Sequence, residues 1–153
     1  MRSFMASFSL LMLVLVGCRE SAPPPTPLSF YTLSTTKLEG GQFIDTERYP
    51  KLGYIAATPE LILSHLESVT PETTPAEGSK AAVLKVRLTP KDAKKLTDFT
   101  QRALHKIIVI KLGETILMAP RVNDAITGPD FGIVLREGPN TQTLEAGIKK
   151  LAE

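Results

Sequence analysis

Hydrophobic and polar positions alternate most cleanly over residues 82–88, where Leu84, Val86 and Leu88 interleave with Lys85 and Arg87. A period of two puts the apolar side chains on one face and the charges on the other, the pattern of a half-buried strand. The period then changes to helical. Thr89 is placed as an N-cap, Pro90 takes the first helical position, where its missing N–H is harmless, and Asp92 stands three residues after the cap. Ala93, Leu96, Phe99, Thr100, Ala103 and Leu104 recur at helical spacing on one face, while Lys91, Lys94, Lys95, Asp98 and Arg102 face outward.

Two apolar runs follow, residues 107–112 and 115–118, separated by Gly113 and Glu114. Glycine at the first central position of a two-residue connection predicts a type II′ hairpin. Pro120 ends the second strand because proline cannot donate to a ladder. After the turn Thr127-Gly128-Pro129-Asp130, residues 131–135 read as another strand. Residues 141–151 read as a closing helix, with Leu144, Ile148 and Leu151 at helical spacing. Gly147 weakens that helix by up to about 1 kcal/mol relative to alanine.

Upstream the pattern is less regular. LSFYTL at residues 28–33 reads as a strand ended by Ser34-Thr35-Thr36, Gly40-Gly41 breaks the chain, residues 45–52 read as loop and residues 53–57 as a short strand. TPELILSHLESV at residues 58–69 allows two readings: Thr58-Pro59 suits a helix start, and Leu61-Ile62-Leu63 suits a buried strand. Residues 70–80, TPETTPAEGSK, carry turn chemistry throughout and are expected to form an exposed loop. The order of elements predicts an α+β fold: an antiparallel sheet of about four to five strands with two main helices packed on one face.

A chain of 153 residues leaves room for one core. A net charge of +2, with lysine and arginine interspersed among acids, offers no basic stripe, and no nucleic-acid partner is expected. The single cysteine, Cys18, forms no intramolecular disulfide, so the domain holds together by packing.

That cysteine has another use. Arg2 supplies a positive start, residues 10–16 are uninterruptedly apolar, and no acid precedes Glu20, which is the grammar of a secretory signal at residues 1–17. The stretch is too short for a membrane-spanning helix, which needs roughly 20 apolar residues. Leu15-Val16-Gly17-Cys18 resembles the bacterial lipobox. The resemblance implies lipidation of the Cys18 thiol, cleavage before it and a membrane partner held through acyl chains. Residues 18–27 then form a Pro-rich tether, whose nine residues after the cysteine reach at most roughly 28 Å in polyproline II. Arg19 is not the aspartate that serves as an inner-membrane retention signal, so the expected location is the cell envelope, facing the periplasm or outer surface.

Residues 82–151 resemble the head subdomain of the first periplasmic domain of SecD and SecDF, the membrane components that assist protein export. The residues that carry this are Leu88-Thr89-Pro90, Ala93-Lys94-Lys95, Phe99-Thr100, the strand IIVIKL, the hairpin LGETILMAP, Ile126 with Gly128, and Leu144-Glu145-Ala146. Asp92, Gly113-Glu114 and Met118 depart from the family pattern. The resemblance implies a stand-alone head module within a domain spanning residues 28–153, with unfolded exported chains or translocon components as partners. Residues 28–69 either belong to the same domain or embellish it.

Catalytic chemistry has little support. No glycine-rich phosphate loop, G-x-S-x-G or H-E-x-x-H is present, and no cofactor is expected. His65 and His105 are the only histidines; His105 is expected as a cation at a helix C-terminus. Asp124 and Asp130 flank a loop and read as solvated or capping rather than metal-binding. Met118, Ala119, Pro120, Ile126 and Phe131 are candidates for an apolar groove that takes an extended peptide. The alternative is that Met118 and Phe131 are core. Two functional readings remain: a module that binds unfolded chains, or a structural lipoprotein that binds a folded envelope partner or a cell-wall component.

Overall fold

A computed structural model describes residues 23–72 and 81–153. The signal segment, Cys18 and residues 18–22 of the tether lie outside the described residues.

The alternation around Leu84 becomes strand β6 (Ala82–Arg87), which pairs antiparallel with β5 (Ser68–Glu72) and β9 (Asp130–Leu135) in a three-stranded sheet ordered β5-β6-β9. Leu84, Val86, Phe131, Ile133 and Leu135 point inward, and Lys85 and Arg87 stay in water. A second sheet has the order β4-β1-β7-β8, built from β1 (Leu28–Thr32), β4 (Leu61–Leu63), β7 (Ile108–Leu112) and β8 (Thr115–Met118). All its pairings are antiparallel. A two-stranded ribbon, β2 (Gln42–Ile44) with β3 (Gly53–Ile55), completes the strands. The fold is α+β, with its strands divided among sheets of four, three and two.

Helix α1 (Pro90–Arg102) begins where the sequence places it: the Thr89 hydroxyl accepts from the Asp92 N–H, with proline in the first turn. Leu96, Phe99 and Ala103 are buried against the four-stranded sheet. Helix α2 (Thr141–Lys149) runs into a single 3₁₀ turn (Lys150–Ala152) and buries Ile148 and Leu151 in the same core. Gly147 has a packing reason. A Cβ there would stand 2.9 Å from Leu112 Cδ2, so the glycine lets α2 lie close on the end of β7.

The core between the two larger sheets centres on Phe30. This residue is fully buried, and its ring meets Phe99 and Phe131 edge-on at centroid distances of 6.0 and 6.2 Å. Strand period then decides what the four-stranded sheet shows on its other face. Tyr31 and Val109 pack there against Ile44 and Ile55 of the ribbon, a second cluster joined by Leu33, Tyr49, Leu52, Ile116 and Ala119. The ribbon therefore covers the face that the helices leave open.

Two threonines on α1 fix the crossover between β8 and β9. Thr97 Oγ1 donates to the Ile126 carbonyl at 2.7 Å, and Thr100 Oγ1 accepts from the Ile126 N–H at 3.0 Å. Both polar atoms of one peptide residue are thereby paired beside the core, where leaving them unpaired is costly.

Upstream, the structure decides one open reading and overturns one expectation. Residues 58–69 form no helix; Leu61 and Leu63 are buried while Ile62 is half exposed, so the run is a short strand, β4. The expected loop from residue 70 is strand as far as Glu72. Pro71 is tolerated because β5 is an edge strand with one neighbour. Residues 73–80 of that loop lie outside the described residues.

Candidate functional site

The hairpin connection positions one end of the site. Gly113 has φ +58° and Leu112 faces Thr115, as the type II′ geometry read from the sequence requires. On β7, Ile108, Ile110 and Leu112 face the helices, which turns Val109 and Lys111 toward the ribbon. Lys111 is only 4% exposed. Its ammonium lies 3.2 Å from the carboxylate of Glu114 at the hairpin tip and 5.9 Å from the centre of the Tyr31 ring. The two partners differ sharply in exposure, 5% for the Lys111 side chain and 94% for that of Glu114.

Lys111 opens onto a cleft of about 330 Å³ between the ribbon and the hairpin. Gln42, Ile44, Thr46 and Tyr49 line one wall, and Glu114, Thr115 and Ile116 the other. Asp45 and Arg48 are the remaining charged lining groups. The Asp45 carboxylate accepts from the Lys51 N–H at 3.0 Å, and the Arg48 guanidinium lies 5.2 Å over the Tyr49 ring. β2 pairs with β3 alone, whereas β8 pairs with β7 and also runs close to β9 without a ladder between them. The cleft thus joins the unpaired edge of β2 to a buried cation.

A wider cleft of about 550 Å³ lies at the end of β1, lined by Glu60, His105, Lys106 and Arg121 among others. His105 does not sit at the helix terminus, contrary to the sequence expectation. The helix ends at Arg102 with Ala103 as its cap, and His105 takes a left-handed turn conformation with φ +63° while its N–H bonds the Val122 carbonyl. The cation of the last helical turn is Arg102. Arg121 donates to the His105 carbonyl at 2.7 Å and Glu60 accepts from the Thr32 N–H at 2.9 Å, so both charges hold backbone. Among the described residues no hydrogen bond reaches the imidazole. His65 is exposed between β4 and β5.

Asp130 is committed elsewhere. Arg87 grips it bidentately, Nε to Oδ1 at 2.8 Å and Nη2 to Oδ2 at 3.1 Å, with Lys85 at 3.7 Å. Those hydrogen bonds from Arg87 hold the Asp130 carboxyl below its ordinary value and raise Arg87 in turn. Asp124 is exposed, and among the described residues no three His, Cys, Asp or Glu converge on a metal-sized space.

The five groove candidates are distributed over the two sheets. Phe131 is a core residue at 9% exposure, edge-on to Phe30. Met118 and Ile126 are half buried against the same core, whereas Ala119 packs on the ribbon side of the four-stranded sheet. Pro120 is half buried, and its carbonyl accepts from the Ile108 N–H. The Lys111 cleft was not read from the sequence. The signal for it was the single lysine inside the apolar run IIVIKL, which period two places opposite the core.

The tether contributes a surface as well. Residues 23–26 line a cleft with Leu112, Gly113 and α2 residues Thr143, Leu144, Ala146 and Gly147. Among the described residues no helix is long and apolar enough to cross a membrane.

No protein-family model matches the chain, and no curated protein sequence matches it. Solved structures do match in fold. One is a structure of SecDF, described as a membrane component that enhances protein export. It superposes with a TM-score of 0.56 at 19% identity, covering 84% of this chain and 62% of that one. Another is the crystal structure of SecDF in a super-membrane-facing form, with a TM-score of 0.57 at 17% identity, covering 83% and 19%. The chain spans less than two thirds of either. The SecD-head resemblance read from residues 82–151 therefore holds in three dimensions as a resemblance of fold. It also extends further, because residues 82–151 are under half of the chain and the match covers 84% of it. Residues 28–69 are accordingly part of the fold; β1 lies inside the four-stranded sheet, between β4 and β7.

Proposed function

We propose that this chain is a non-enzymatic lipoprotein of the bacterial envelope whose SecD-head-like domain binds protein or peptide chains, with unfolded exported polypeptides as the principal class. The observation that carries this reading is the SecDF-like fold over 84% of the chain. The lipobox ending in Cys18 supplies the anchor. Each buried methylene contributes about 0.8 kcal/mol, so two or three acyl chains hold where one does not. Residues 23–26 line a cleft with α2, which leaves residues 19–22 between the anchor and the domain. The five steps from Cys18 to Pro23 reach at most about 18 Å, so the domain works close to the lipid surface instead of at the end of a long tether.

Strand addition at the unpaired edge of β2 is the binding mode the architecture favours, because main-chain hydrogen bonds give affinity without demanding one sequence. Of the groove candidates, Ala119 lies on the same ribbon-covered face of the four-stranded sheet.

The test is a titration of the full chain, extracted in detergent, with an unfolded presecretory protein and with its folded form, followed by anisotropy. Selective binding of the unfolded form is expected. Binding of neither form, together with capture of a folded envelope component, sinks the reading and favours a structural lipoprotein. A parallel fractionation tests the anchor: Cys18→Ser should leave the membrane or remain unprocessed, and wild-type behaviour removes lipidation.

A further inference from the structure

The geometry points to a specific contact within that binding surface: the cleft between β2 and the β7–β8 hairpin receives an acidic side chain of an extended polypeptide, with the Lys111 ammonium as its counter-charge. This rests on the reading of the domain as a polypeptide binder.

A lysine with its side chain 5% exposed has given up most of its hydration, and such a charge needs a partner. The partner it has is poorly suited to a permanent structural role. Glu114 sits at the hairpin tip with 94% of its side chain in water, so its carboxylate leaves the site by a rotamer change at little cost. A lysine on this face is also not needed for packing. An apolar residue of similar length under the ribbon, beside Tyr31, is expected to be neutral or stabilising relative to the buried pair.

The remaining charges of the cleft leave room for an incoming anion. Asp45 is occupied by the Lys51 N–H, and Arg48 lies over Tyr49, adding a second cation. With Glu114 swung outward, two cations face one engaged carboxylate. The volume, about 330 Å³, suits a side chain with a short length of backbone. The backbone also has partners waiting along β2, which pairs on one side only, with β3. A strand laid against the β2 edge presents alternate side chains to the same wall, so one acidic residue in an extended segment reaches Lys111 while its neighbours point away.

The test uses the full chain in detergent and two short fluorescent peptides of alternating threonine and valine, capped at both ends, one with a central glutamate and the other with glutamine. The glutamate peptide is expected to bind about tenfold more tightly, the effect of one charge-assisted pair in a dry site. Lys111→Met keeps the buried stem and should abolish that preference, with an unchanged or higher melting temperature to show that it folds. Glu114→Gln should retain the preference or enlarge it, because the competing carboxylate is gone. Equal affinity of the wild type for both peptides, binding of neither, or an undiminished preference in Lys111→Met overturns the assignment. If unfolded presecretory protein binds wild type and Lys111→Met equally while the peptides are not distinguished, the contact falls and the broader binding function stands.

Discussion

Replacing Phe30 tests whether the upstream strands and the SecD-head-like segment share one core. The ring is fully buried on β1, and its edge contacts with Phe99 on α1 and Phe131 on β9 join both larger sheets and a helix. Phe30→Ala removes the ring from a site held on all sides, where such truncations cost about 3–5 kcal/mol. Phe30→Leu keeps apolar bulk and removes mainly the two ring–ring contacts, at about 0.5–1.5 kcal/mol each, so about 1–3 kcal/mol together. Against a total stability of about 5–15 kcal/mol, the alanine variant should remain folded with a greatly reduced margin. Urea unfolding followed by circular dichroism, with calorimetry alongside, measures both effects. A single transition shifted to lower urea with an unchanged slope is expected. Two separated transitions, with the one belonging to residues 82–151 unmoved, would refute a common core, and so would a loss below about 1 kcal/mol for Phe30→Ala.

Other consequences follow from single contacts. Thr100→Val keeps the shape of a fully buried side chain but strands the Ile126 N–H, which should cost about 1–3 kcal/mol in the same urea assay. Thr89→Ala removes the cap of α1 and should cost about 1 kcal/mol, with the helical signal at its N-terminus exchanging hydrogen faster. Asp130 is held below its ordinary value near 3.8, so its pairing with Arg87 stabilises above that value and the contribution fades as pH falls through the lower folded-state value. Asp130→Asn should therefore flatten the acid end of the stability profile by a small amount, the pair being exposed. An unaltered profile contradicts the assignment.

Local chemistry was legible in the sequence and long-range pairing was not. The β6 alternation, the Thr89-Pro90 helix start, the glycine hairpin and α2 all depend on neighbours within a turn or a strand, and each appears where its residues place it. The partition of the strands depends on contacts such as Leu28 with both Leu63 and Leu112, pairings that no local period encodes. A three-residue strand such as Leu61–Leu63 is too short to display any period. Pro71 and its turn-like neighbours concealed β5 because proline is excluded from central strands but not from edges. The end of α1 was misread because Ala103 closes the helix before His105. The Lys111 cleft exists only because the ribbon, formed more than fifty residues upstream of the hairpin, folds back over the outer sheet face. From the sequence, Lys111 was one charge in an apolar run.

The central claim, capture of polypeptide chains at the envelope, is tested most directly by crosslinking in the living cell. A photoreactive residue in place of Phe43, 45% exposed on the wall of the Lys111 cleft, should trap an exported protein arrested in an unfolded state, and a probe at Ile62, 50% exposed on β4, should trap it less. Crosslinks from Phe43 to folded envelope proteins alone, unchanged when export is blocked, would contradict the account.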